Sequence, residues 1–381
     1  VTDFSQVGIK ATDDYTLVYT LAAPCTYFDT MLGYSIFAPM NAEYFISKGG
    51  AFGVDAFAEA KNEETYTYGT SHENIAYCGP YIVSSAVKEN TIVFDANPSY
   101  WNKDGINVKK ITWNFIDGTN TTEVYDGMIA GTYSSAALGS DALQKAKTTT
   151  VPGTNKSYFD TYAYTSSLDA SSYPIFFNLY RQQYANFNDA SVAVSSMTED
   201  QKLRANLAMQ NNHFRLALAF GLDRGAFNAV TNGDDLKYVS LVNSYTPGNF
   251  VSLHEDVTVK INGKDTTFKA GTYYGAIMQA QIDADGGKMK VWDPTLEGGI
   301  GSSTGFDGWY NVENAVAELN AAIEELAAIG VVIDENNPIV LEMPYYDIYT
   351  PYANRSNVLK QSIESSLGGK VKINLVKTGG S

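Results

Sequence analysis

Basic residues are scarce in this 381-residue chain: 26 Lys and Arg stand against 42 Asp and Glu, a net charge of −16. Such a surface repels nucleic acid and anionic lipid and offers neither of them a basic footprint. Charged residues make up only 18% and hydrophobic ones 44%. That balance excludes a disordered polyelectrolyte and suffices for a large core divided over two or three domains. No window approaches the ~20 consecutive apolar residues of a membrane span. No leader is visible at Val1, so a signal segment is expected either to have been cut away or to lie upstream in a longer protein.

Reactive residues are scarce as well. The 3 histidines, His72, His213 and His254, are scattered and show no metal-ligand spacing. The 2 cysteines, Cys25 and Cys78, are too far apart for a CxxC motif, which leaves a disulfide or two buried thiols open. With no Cys/His cluster, a zinc site is not expected. No P-loop or G-x-G-x-x-G occurs. Gly301-SSTG matches G-x-S-x-G but lacks the strand-to-helix turn that motif needs. Asp283-ADGG resembles the start of a calcium loop without its later acidic ligands. Carboxylates are plentiful, yet none stands in a context that singles it out. No enzyme, metal or cofactor is expected.

Tyrosine, by contrast, is abundant, with 27 Tyr against 18 Phe and 4 Trp. Tyr joins a large apolar ring to a polar tip and suits half-buried strands and ligand surfaces. Asp14-YTLVYTL alternates as a strand, and Tyr27-FDTMLG follows as a short helix. A hairpin is expected over Tyr81–Val87 and Thr91–Ala96, turning at Lys88-Glu89-Asn90. Another strand follows at Lys109-KITWNFI, then a helix from Thr121 closed by Gly131 and a short one capped by Ser140. Thr198-EDQ is a capping box opening a helix expected to run through Phe214 toward Leu222. Asn311 caps a helix whose apolar residues recur from Val312 to Leu326 and which Gly330 ends. Asn262-Gly263 marks a tight hairpin turn. Near the end, strand Ile339-VLEM, a helix from Thr350-Pro351 to Leu367, and strand Val371-KINLV predict a parallel βαβ unit.

The run CGPYIVSSAVKENTIVFDANPSYWNK, from Cys78 to Lys103, resembles the "GPY…V…NPxYW" segment of bacterial extracellular solute-binding proteins of family 5. These are the oligopeptide-, dipeptide- and nickel-binding components of ABC importers. Further landmarks are similar and stand in the family's order: Lys10-ATDDYTLVYTLAAPCTYF, Ile111-TWNFIDGTNTTEVYDGMIAGTY, Phe187-ND, Phe214-RLALAFGLDR, and the terminal βαβ.

The resemblance implies an α/β, type II periplasmic-binding-protein-like fold, with two mixed lobes joined by crossing strands and apparently partial at both ends. Lobe I is expected at 1–165 and the second lobe at 166–381, with a surface insertion at about 250–304. The crossing is expected near Tyr162-AYTSSLDASSYPIFFN. The implied function is capture of oligopeptides for delivery to an ABC permease, by a monomer outside the cytoplasm that is lipid-anchored or periplasmic. The rival is a secreted carbohydrate-active or carbohydrate-binding protein. Implied ligand contacts are Tyr162, Tyr164 and Tyr173 at the crossing, and Ser244 and Tyr245 in a segment resembling the family's "Y-T-P-P" loop. Tyr346 and Asp347 join them where a strand of an open α/β sheet runs into its helix. Because the segments of Cys25 and Cys78 fall in one lobe of the family, a disulfide between them is expected. Trp101 and Trp113 are expected to pack beneath the hairpin as scaffold. With part of the enclosing surface absent, the chain alone is expected to bind cargo weakly.

Overall fold

A computed structural model describes residues 6–60, 64–164, 172–184, 194–296, 304–346 and 350–378. The chain divides into two compact units, Val1–Gly118 and Thr119–Ser381. Residue 165, where the lobe boundary was expected, lies outside the described residues, as do Phe187-ND and Gly301 to Ser303.

In the first unit the Asp14 strand pairs with its own upstream neighbour. β1 (Ile9–Asp13) and β2 (Thr16–Tyr19) are antiparallel, and the Asp13 carboxylate accepts from the Tyr15 amide at 2.8 Å to close the turn. α1 (Phe28–Met31), α2 (Ala42–Ser47) and α3 (Val54–Ala60) follow. β3 (Tyr81–Ala86), β4 (Thr91–Ala96) and β5 (Lys110–Asn114) form an antiparallel sheet in that order. Glu89 takes the left-handed conformation (φ 54°) at the predicted β3–β4 turn. The family-like run is held together by Asn97. Its Nδ2 donates to the Gly79 carbonyl at 2.9 Å, its amide donates to Pro80, and its Oδ1 accepts from Ser99.

The tryptophans do not take the expected part in this scaffold. Trp101 is 84% exposed and touches only the Tyr100 ring among aromatic partners of the described residues. The chain turns at Asn97 toward β5, with Tyr100 N donating to the Asn97 carbonyl, and this turn leaves Trp101 on the outside. Trp113 is also exposed, although its ring meets Phe94 at 4.8 Å across the β4–β5 ladder. Cys25 and Cys78 are both free, so the expected disulfide is not formed. Cys25 lies in the turn into α1, its carbonyl accepting from Phe28 N, whereas Cys78 is exposed in the segment that precedes β3.

The second unit opens with α4 (Glu123–Ile129), α5 (Ser140–Thr148) and α6 (Tyr158–Tyr162), packed around Tyr125, Ala142 and Ala146. Ser140 is the first helical residue of α5 and not its cap; Gly139 holds that position without a side-chain bond. The helix expected from Thr198 to Leu222 is broken. The capping box opens α7 (Glu199–Gln210) as predicted, with both reciprocal bonds present. Asn211 then leaves the helical region (ψ 128°), and its side chain accepts from Phe214 N to start α8 (Asn212–Gly221). Asp223 repeats the device for α9 (Arg224–Asn232).

The span expected as an insertion holds the hairpin β6 (Val257–Ile261) and β7 (Lys264–Phe268), then α10 (Tyr274–Ala284). Asn262 and Gly263, both at positive φ (48° and 76°), make its turn. α11 (Val312–Ala327), capped by Asn311, leads to β8 (Ile339–Tyr346), α12 (Thr350–Ser366) and β9 (Val371–Thr378). β8 and β9 pair in parallel, as the strand–helix–strand pattern predicts. One core joins α8, α11, α12 and this strand pair; Phe214, Phe220, Leu319, Leu326, Ile339 and Val371 are buried in it. Each such side chain contributes ~1.5–3 kcal/mol by leaving water, so this core fixes the loops above it.

Candidate functional site

One loop of the second unit carries Ser244 and Tyr245, and a largely buried ionic network holds its base. Arg224 opens α9, and its guanidinium donates to Asp307 (Nε–Oδ1 3.0 Å, Nη2–Oδ1 2.5 Å). It also reaches the Val242 carbonyl at 3.0 Å and the Asn243 Oδ1 at 2.5 Å. Asp307 accepts further from the amides of Arg224, Trp309 and Tyr310. Asn243 donates to the Phe306 carbonyl and accepts from Gly308 N, while the Trp309 indole donates to the Asn243 carbonyl at 2.9 Å. The start of α9, the strand-like 241–243 segment and the loop before α11 are thereby tied at one point. Ser244 donates to the Thr246 carbonyl and Tyr245 stands 72% exposed, so a rigid base presents a free ring.

A second group gathers at the carboxyl ends of β8 and β9. Tyr346 meets Tyr352 of α12, ring centroids 6.3 Å apart, and Thr378 donates to the Tyr345 carbonyl. Asp347 lies outside the described residues. Arg355, one turn beyond Tyr352, stacks on Phe227 of α9. The third group is looser. Tyr162 ends α6 against Tyr158 at 5.9 Å, whereas Tyr164 and Tyr173 are exposed, and residues 172–178 carry no helix or strand. All the described candidates fall in the second unit. No hydrogen bond or ring contact joins the three groups among the described residues.

Elsewhere on this unit, a cavity of about 790 Å³ is lined by Ser195, Glu342, Asn357, Lys360, Asn374 and Lys377. Glu342, on β8, is almost fully buried. It accepts from Arg181 at 2.6 Å and Ser195 at 2.8 Å, while Arg181 lies over the Tyr184 ring. Burial pushes the Tyr184 hydroxyl pKa up, against the pull of Arg181 and Lys202. A smaller cavity of about 340 Å³ is bordered by Leu216, Phe220, Met289 and Glu318. None of the predicted ligand residues lines either one.

Sequence reasoning missed Asp307, Asn243, Glu342 and Arg355. Asp307 lies in a loop without a recognisable motif, and its partner Arg224 lies 83 positions away in the chain. Arg224 was visible as the end of the LDR run, which places it at a helix start. The Ser195 hydroxyl does meet a carboxylate, at 2.8 Å, but that carboxylate is Glu342, which Arg181 already holds as an ion pair.

A model of the bacterial extracellular solute-binding proteins, family 5 Middle, matches residues 2–379. Oligopeptide-binding protein AliA of Streptococcus pneumoniae is 31% identical over 368 residues, which cover 97% of this chain and 47% of the relative. Oligopeptide-binding protein SarA of Streptococcus gordonii is 30% identical over 366 residues, 96% of this chain and 47% of the relative. The chain thus spans about half the length of the curated relatives it matches. Among solved structures it is similar to Listeria monocytogenes OppA bound to peptide, with TM-score 0.55 at 18% identity over 97% of this chain and 52% of that one. The pheromone receptor PrgZ is similar in fold, with TM-score 0.53 at 15% identity over 98% and 54% of the two chains.

Proposed function

The chain belongs to the bacterial extracellular solute-binding proteins of family 5, and on that premise we propose that it forms part of a component that captures oligopeptides for an ABC importer. The observation that carries this reading is the family match across 2–379, together with curated relatives named as oligopeptide-binding proteins. Those relatives give no support to the carbohydrate-directed alternative. The protein works by enclosure and release, returning its ligand chemically intact. Lobe I corresponds to 1–165 and the second lobe to 166–381. Peptide backbone groups pair with main-chain amides and carbonyls, and exposed rings line roomy pockets for side chains.

The contacts assigned to this chain are Tyr162, Tyr164, Tyr173, Ser244, Tyr245, Tyr346 and Asp347. What supports Tyr245 most is its base: a loop fixed by the Arg224–Asp307 pair is pre-organised, which lowers the entropy lost on binding. The partners are a peptide and the importer's permease subunits. The location is the outer side of the cell membrane, with a lipid anchor or a periplasm retaining it. No helix among the described residues is long and apolar enough to cross a membrane.

The test is a thermal-shift screen of the full-length protein against oligopeptides and oligosaccharides, followed by mass spectrometry of the recovered ligand. Peptides raising the unfolding temperature by several degrees, and recovered uncut, are expected. Stabilisation by sugars alone, or cleavage of the peptide, would overturn the reading.

A further inference from the structure

Among the described residues, strand β9 pairs only with β8. Ile339 N donates to the Lys370 carbonyl, and in a parallel ladder alternate residues face the partner. The backbone groups of Lys370, Lys372 and Asn374 therefore turn toward β8, and those of Ile373 and Leu375 turn outward. A row of outward N–H and C=O groups is a template for a further strand, including the same edge of another copy. At Ile373 that template is already filled by two side chains of α12. Glu364 Oε1 accepts from the Ile373 amide at 2.8 Å, and Lys360 Nζ donates to the Ile373 carbonyl at 2.6 Å. The two side chains lie one helical turn apart and pair with each other at 2.9 Å. Lys372 stands 3.9 Å from the second Glu364 oxygen. An ion pair on one helix thus supplies the acceptor and the donor that a neighbouring strand would bring.

The space beside the edge and the charge along it point to what this pair keeps out. The cavity of about 790 Å³ runs along residues 373–377 and is also lined by Asn357 and Lys360 of α12 and by Ser195 and Ser196, so there is room for an incoming chain. Strand β9 carries Lys372 and Lys377 and no acid. Pairing two β9 edges would gather the lysines of both copies on one ribbon, a repulsion that an acidic foreign strand would not meet. Edge lysines and filled pairing groups therefore oppose the same event, addition of β9 to itself. We propose that the Lys360–Glu364 pair guards this edge, occupying the pairing groups of β9 so that a second copy of the chain cannot add there. This role concerns the outer edge of the sheet and is independent of peptide capture.

The test compares the full-length wild type with a variant carrying both Lys360→Ala and Glu364→Ala, by sedimentation velocity over a range of concentrations at low and high salt. Alanine is the best helix former, so α12 is preserved. The wild type should sediment as a single chain throughout. The variant should shift toward the mass of a pair as concentration rises, and more so in high salt, which screens the lysines. Hydrogen exchange at the Leu375 amide should slow on association. If the double variant does not fold, Glu364→Ala alone carries the same expectation, since it frees the Ile373 amide and releases Lys360. A purely structural pair would lower the unfolding midpoint and leave the variant a single chain at every concentration; that result overturns the proposal. Association that leaves exchange at Leu375 unchanged, or a wild type that pairs through β9, overturns it as well.

Discussion

Replacing Asp307 by Asn removes one charge from a carboxylate that holds Arg224 and three backbone amides. The Asp307 side chain is only 6% exposed and that of Arg224 21%. The substitution keeps the shape and one acceptor oxygen but turns an amide toward the guanidinium. Breaking one partner of a buried pair costs about 3–5 kcal/mol, because the surviving charge is left uncompensated. Here the lower end is expected, about 3 kcal/mol, since the Val242 carbonyl and the Asn243 side chain still accept from Arg224. A fair control is Asp265→Asn. Its partner Lys260 lies at 2.8 Å, but the two side chains are 70% and 69% exposed, so the loss should stay below about 1 kcal/mol. Urea denaturation followed by circular dichroism and by tryptophan fluorescence reads both variants. Hydrogen exchange at residues 241–246 should rise in Asp307→Asn alone, since that loop loses its tie. Equal losses in the two variants would refute the argument that this network fixes the Ser244–Tyr245 loop.

Other perturbations follow from the same geometry. Asn97→Ala should cost about 1–3 kcal/mol by unpairing Gly79 and Ser99, whereas Trp101→Ala should stay within about 0.5 kcal/mol; the reverse order in a denaturation series would contradict the scaffold role of Asn97. Thiol titration of the denatured, unreduced protein should find both Cys25 and Cys78 reactive, and a mass increase of two hydrogens on reduction would contradict this. His213 Nδ1 lies 2.6 Å from Glu318 and its Nε2 3.8 Å from Glu325. The Glu318 hydrogen bond raises the imidazole pKa above its usual 6.5, while partial burial opposes it. The α8–α11 contact is therefore fully stabilising below the unfolded pKa and weakens as pH rises through the higher folded one. His213→Gln should flatten that decline in the unfolding midpoint, and an unchanged profile would remove the residue from the account.

Local chemistry was legible in the sequence wherever a few neighbouring residues decide it. The Thr198–Gln201 box, the Asn311 cap and the Asn262-Gly263 turn each satisfy or bend the backbone within a handful of positions, and each stands as predicted. The terminal βαβ was legible because an apolar strand run, a Thr-Pro helix start and a second strand run follow one another at the length a parallel crossover needs. The break at Asn211 was hidden, since an apolar pattern continues across it and only the cap to Phe214 interrupts the helix. Asp307 and Glu342 were hidden for another reason. Each depends on a partner distant in sequence, Arg224 or Arg181, and nothing in the composition around the acid reveals which cation will arrive. The exposure of Trp101 shows the converse: an aromatic in a turn is not buried by being aromatic. Tyr162, Tyr164, Tyr173 and Tyr245 were chosen by the resemblance and Tyr346 by its place at a strand end, where it meets Tyr352 of α12.

Native mass spectrometry of the full-length protein, purified gently from the cells that make it, tests peptide capture most directly. The account predicts a ladder of adducts whose masses resolve into intact oligopeptides on release, and whose abundance falls in a Tyr245→Ala variant of unchanged stability. A protein that carries no peptide, or that releases a sugar or a cleaved product in its place, would contradict it.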